Sequence, residues 1–286
     1  MELIDAHVHL LHPEQFSYAW CAAEPVLNRA FRIEDYRAAA TQVPIGERVR
    51  AAVFMEADVP VIQQAAETEY FSRMADEDHG SLPLAAVIAG ARPEAADFPA
   101  QLERLVGNPR VRGLRRVLHT MPDGLSQTPR FAENLRRLAG HRLTFDLCVR
   151  PHLLPAVSAL VAACPETLFV LDHCGVPDIA NGRLDPWRKD LRVLAERPNV
   201  VCKFSGLASV CDPSRAMTPQ VRPYFELCLE CFGPARMMWG SDWPLCNLTF
   251  DLAAWVWTTS ELLGELSETE QAAIAADTAR RIYRLE

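Results

Sequence analysis

No stretch of the chain approaches the ~20 uninterrupted apolar residues that a membrane-spanning helix needs, so no membrane partner is expected. Positive charge is also scarce: 29 Lys and Arg stand against 37 Asp and Glu, a formal charge of −8 with pI near 5.5. That balance argues against broad electrostatic capture of nucleic acid or of an anionic membrane. No Lys or Arg precedes Glu2 and Asp5, the reverse of a secretory leader's basic start. The nine cysteines, an odd number, follow no disulfide rhythm, which points to a reducing cytoplasm. A lone CxxC, Cys228 and Cys231, has no second pair. Thr218 and Pro219 read as N-cap and first turn of its helix, so buried thiols are expected there rather than a metal or redox site. No Gly/Ser linker or charge block divides the chain, which predicts one domain over residues 1–286.

What is present is alternation. Short apolar runs recur: "ELIDAHV", "RVRAAVFMEA", "PLAAVIAG", "VRGLRRVLH", "RLTFDLCVR", "TLFVLDHCG", "NVVCKFSGL" and "RMMWGSD". Between them, helical spacing covers 33–43, 58–77, 97–107, 129–139, 151–164, 187–196, 219–232 and 250–263. Eight βα units with right-handed crossovers predict a parallel α/β architecture, a (β/α)8 TIM barrel. An extra C-terminal helix is expected from Ser267, which forms a capping box with Glu270.

In such a barrel the chemistry collects where strands end. The first run delivers His7 and His9, which strand alternation places on one side together with Leu3 and Asp5. The sixth delivers His173 and the eighth delivers Asp242, just past Gly240. Three imidazoles and a carboxylate are the donor set that a borderline ion such as Zn²⁺ accepts. The plainer reading gives His173 a helix cap and Asp242 an Asx turn.

The phrases "DAHVH", "LDHCG" and "WGSDWP", in this order, resemble the amidohydrolase superfamily. With "FDLCVRPHLLPAV", "FVLDHCGVPDI" and "NVVCKFSGL" the resemblance narrows to the amidohydrolase-2 group that contains sugar-lactone hydrolases, over about residues 3 to 250. It implies hydrolytic opening of an aldonic or aldaric lactone. His7, His9, His173 and Asp242 would hold one divalent metal, zinc by preference, or work with none. Binuclear relatives use a Lys or Glu at the fourth strand end, and "VRGLRRVLH" has neither; the only lysines are Lys189 and Lys203. A two-metal site is therefore not expected.

The resemblance gives Asp242 the proton-transfer role and leaves His173 as ligand or carbonyl polariser. Arg115, if it faces inward with Gly113 and Val117, offers a cationic fork for an oxyanion; alternatively it pairs with Asp146. Lys203 is expected to be structural or to bind substrate. Trp20, Trp187 and Trp243 suit the apolar face of a sugar ring or anchor loops. Glu56 and His119 are further polar candidates at the rim, whereas His12, His79, His141 and His152 are assigned surface or capping duties.

The expected partner is thus a small-molecule lactone, and the sequence carries no signal of oligomeric state. Two other readings stand beside it. Related barrels decarboxylate aromatic or enoic acids with a similar metal set, and a non-catalytic binding barrel is the third.

Overall fold

The computed structural model describes residues 1–77 and 80–285. Strands β1 Glu2–Val8, β2 Arg48–Met55, β3 Leu84–Gly90, β4 Val111–Val117, β5 Thr144–Cys148, β6 Leu168–Leu171, β7 Val200–Phe204 and β8 Met237–Trp239 alternate with helices. The helices are α1 Ile33–Ala40, α2 Gln64–Glu77, α3 Phe98–Val106, α4 Pro129–Arg136, α5 Leu154–Ala163, α6 Trp187–Ala195, α7 Met217–Phe232 and α8 Leu252–Leu263. The strands pair in parallel in the order β1 to β8. This is the expected (β/α)8 barrel, and a single barrel spans the described residues. None of its described helices is long and apolar enough to cross a membrane.

The seam between β1 and β8 closes at the mouth. His9 N donates to Trp243 O at 2.8 Å and Asp242 N donates to His7 O at 2.9 Å. The same bonds that close the barrel therefore set Asp242 beside the histidines of β1.

Strand alternation separates two layers. Ile4, Ala6, Val53, Met55, Ala86, Ile88, Val170, Val201 and Met238 form the interior, and Leu3, Phe54, Leu114, Phe145, Leu171 and Phe204 pack under the helices. The expectation that Asp5 and His7 share a side fails. A register irregularity between Asp5 and Val8 breaks the alternation. Asp5 instead accepts Tyr36 Oη of α1 at 2.6 Å, while His7 faces the lumen.

The barrel is floored from the C-terminus. Ser267 and Glu270 form the predicted capping box of α9 Glu268–Ala272, and a π turn leads into α10 Thr278–Tyr283. Ala276, Ala279, Ile282 and Tyr283 complete the interior cluster. Helix α7 starts at Met217, ahead of the predicted cap. Thr218 is not the cap, because its hydroxyl bonds across to Thr258 and Glu261 of α8.

Candidate active site

Four side chains from three strand ends converge. His7 and His9 place their Nε2 atoms 3.1 Å apart, and Asp242 Oδ1 lies 3.6, 3.5 and 3.9 Å from the Nε2 atoms of His7, His9 and His173. All four are buried. Asp242 Oδ1 has no hydrogen-bond partner among the described residues, an uncommon condition for a buried carboxylate oxygen.

The acceptor behind His9 fixes which of its nitrogens is free. His9 Nδ1 lies 3.0 Å from Met55 O, which can only accept, so Nδ1 carries the proton and Nε2 bears the lone pair. His173 Nδ1 meets Ser205 Oγ at 2.9 Å. Burial, first of all, lowers the pKa of His7 and of His173. Both rings are therefore neutral at neutral pH, the state a metal ligand needs. Converging neutral nitrogens around an unpartnered carboxylate oxygen fit a divalent ion, and His7, His173 and Asp242 offer ligand atoms all within 4.8 Å of one another.

The backbone that delivers these groups is strained. His173 (φ 55°), Cys174 (φ 54°), Val176 (φ 50°) and Asp242 (φ 59°) all occupy the left-handed region. Such conformations cost energy in non-glycine residues and collect at functional sites. Gly206 (φ 65°) is required by its neighbours: a Cβ there would stand 2.4 Å from His173 Nδ1 and 3.1 Å from Asp242 Oδ2.

Beneath the cluster lies a buried charge network. Lys203 Nζ donates to Asp146 Oδ2 at 2.7 Å and to Asp172 Oδ1 at 2.9 Å, and it lies 3.3 Å from His7 Nδ1. Arg115 donates through Nε to Asp172 (2.9 Å), through Nη1 to Glu56 (3.1 Å to Oε1, 3.2 Å to the carbonyl), and through Nη2 to Cys148 Sγ (3.1 Å). Burial alone would raise the Asp172 carboxyl, but Lys203, His7 and Arg115 hold it well below the usual range. Tyr283 of α10 donates to Asp146 at 2.7 Å, so the floor helix reaches the network.

Several expectations are corrected by burial. Lys203 is fully enclosed, so it supports His7 from below and offers nothing to a substrate. Glu56 is enclosed too, with its oxygens taken by Arg115 and by the Asp58 amide at 2.8 Å. Arg115 turns inward, yet its partners are Asp172 and Glu56; Asp146 belongs to Lys203. Trp187, at 1% exposure, donates Nε1 to Cys174 O (2.7 Å) and packs on Tyr224. Trp243, at 2%, packs against the rings of Phe31 and Tyr36. Neither indole presents a face to a ligand.

Trp20 and His119 remain part-exposed. Trp20 is anchored by Nε1 to Ala57 O at 2.8 Å, and His119 Nδ1 lies 3.5 Å from Cys148 Sγ. His12 is no surface residue: it is buried among Tyr70, Phe71 and Phe16, with Nδ1 3.0 Å from Tyr70 Oη. His141 and His152 are exposed, and His79 lies outside the described residues.

Sequence reasoning missed Asp172, Ser205 and Asp5. Asp172 precedes a named histidine and Ser205 follows Phe204 at the end of β7, so position at a strand end was the available signal. Asp5 accepts the Ser241 amide at 2.7 Å, tying β1 to the loop that carries Asp242.

A family profile described as amidohydrolase matches residues 4–285. A curated L-fucono-1,5-lactonase of Burkholderia ambifaria is 32% identical over 208 residues, 71% of each chain. A second L-fucono-1,5-lactonase, of Burkholderia multivorans, is 30% identical over 300 residues, covering 99% of this chain and 96% of that protein. Among solved structures, a Burkholderia multivorans amidohydrolase with bound zinc superposes with TM-score 0.87 at 28% identity, covering 100% of both chains.

Proposed function

The chain belongs to the amidohydrolase family, and from that membership we propose that it hydrolyses a sugar-acid lactone, an aldonic or aldaric 1,4- or 1,5-lactone, to the open hydroxy acid. The observation that carries the reading is Asp242 Oδ1, buried and unpartnered among three imidazole Nε2 atoms. The likeness to curated lactonases supports the choice of a lactone over other carbonyl substrates.

Opening a lactone requires water to add to the carbonyl carbon, an oxyanion to be stabilised, and the ring oxygen to leave with a proton. Asp242 takes the proton of the attacking water and returns it to the departing ring oxygen. Arg115 stabilises the oxyanion. Its contacts to Asp172, Glu56 and Cys148 occupy four of five N–H groups, which leaves one on Nη2. His173, its Nδ1 held by Ser205, has Nε2 left to hold the ion or, where no ion is bound, to orient the carbonyl. Trp20 and His119 supply contacts to the polyhydroxylated ring at the rim.

His7, His9, His173 and Asp242 would hold one divalent ion, zinc by donor chemistry. When bound, such an ion supplies Lewis-acid polarisation of the carbonyl and acidifies water.

The test is a pH-indicator screen of aldonic and aldaric lactones on metal-quantified protein, with a decarboxylation assay run beside it. Acid release from at least one lactone, absent in Asp242→Asn, is expected. Turnover in the decarboxylation assay with none on any lactone overturns the proposal.

A further inference from the structure

Outside the lumen, behind His173, three thiols meet. Cys174 follows β6, Cys202 lies in β7 on the face turned towards α7, and Cys228 comes from α7 itself. All three are fully buried, and their Sγ atoms lie within 4.8 Å of one another. Cys174 Sγ also sits 3.5 Å from Lys203 O. Cys231, one turn further along α7, is half-buried and outside the group. None of the three thiols takes part in the hydrolytic site.

We propose that Cys174, Cys202 and Cys228 form a second metal site, selective for a soft monovalent ion of the Cu(I) class. Ligand type decides the class: an all-sulfur set prefers soft ions, whereas the His and Asp set in the lumen suits a borderline divalent one. Ligand number decides between soft ions. A structural zinc site wants four closed ligands, and no fourth thiol joins the group among the described residues. Three sulfurs suffice for trigonal coordination. With metal–sulfur bonds of ~2.3 Å the sulfurs of such a site stand about 4 Å apart, within the limit observed here. The sulfurs come from the end of β6, from β7 and from α7, so the ion ties α7 to the two strands whose ends carry His173 and Ser205.

The test uses the reduced full-length protein and Cu(I) alone, supplied without oxygen. Because the thiols are enclosed, the ion is offered both to native protein and during refolding from urea. Bicinchoninate then competes for it, and ultraviolet sulfur-to-copper charge transfer reports the ligands. The parent protein is expected to retain one Cu(I) with that absorption. Cys228→Ser is expected to lower retention at least tenfold, whereas Cys231→Ser on the same helix matches the parent. Cys202→Ala provides the same loss if Cys228→Ser does not fold by circular dichroism. Equal retention by parent and Cys228→Ser, or no retention by the parent on either route, overturns the site. Neither readout depends on turnover, so the result stands apart from the lactonase assignment.

Discussion

Lys203 and Asp172 form an ion pair, Nζ to Oδ1 2.9 Å, in which neither side chain has exposed surface. A buried pair gains little over an apolar replacement of both partners, but removing one strands the other. Here two carboxylates, Asp146 and Asp172, would lose their shared cation. Lys203→Met should therefore destabilise the protein by roughly 3–5 kcal/mol, the usual cost of an uncompensated buried charge. Urea unfolding reads this directly, and a loss under 1 kcal/mol would show that the network is dispensable.

Asp242→Asn should spare the fold and remove the reaction. Asn tolerates the left-handed backbone that Asp242 occupies (φ 59°), so the thermal midpoint should stay close to that of the parent. Lactone turnover should fall about 100-fold or more, the scale of a lost general base. Comparable turnover in the two proteins would remove this carboxylate from proton transfer.

Ion content separates the ligand set from its surroundings. His7→Ala takes away one imidazole of the converging set, so the single divalent ion expected in the parent should be lost on dialysis. Mass-spectrometric metal analysis is the measurement. Unchanged stoichiometry would mean that His7 is not its ligand.

The strand ends were legible because chemistry there depends on one coordinate, position along the chain. His7, His9, His173 and Asp242 each stand at or just past the end of an apolar run, and eight runs fix a barrel. Contacts that cross the barrel were not legible. Asp146 meets Tyr283 across 137 residues, and no local pattern marks either one. The fate of aromatics was hidden for a related reason: Trp187 and Trp243 lie in the segments expected at the mouth, but tertiary packing turned both inward. Asp5 and His7 show the third limit, since one register irregularity overrides the alternation on which a face assignment rests.

His119 gives a pH dependence with a definite sign. Burial, aided by Arg115 and Arg150, lowers its pKa from 6.5 to about 4. The unfolded chain then binds a proton that the folded one refuses between those values, so this residue's contribution to stability is present above pH 6.5 and is lost as pH falls towards 4. Urea midpoints at pH 4.5, 5.5 and 7 should decline more steeply in the parent than in His119→Gln. Parallel declines would place the pH sensitivity elsewhere.

Two glycines with nearly the same φ separate strain from site geometry. Gly206 has φ 65° and Gly182 has φ 62°, so an added Cβ strains the backbone at both, at a cost of roughly 1–2 kcal/mol. Their surroundings differ: nothing among the described residues lies within 4 Å of a Cβ at Gly182, whereas at Gly206 it would overlap His173 Nδ1 at 2.4 Å. His173 has little room to yield, because Ser205 holds that same nitrogen and Asp242 stands beside it. Gly182→Ala should therefore lower stability slightly and leave turnover intact. Gly206→Ala should displace the imidazole, and with it lower turnover by at least tenfold beyond the Gly182→Ala value at matched folded fraction. Equal turnover in the two variants would mean that the position of His173 does not limit the reaction.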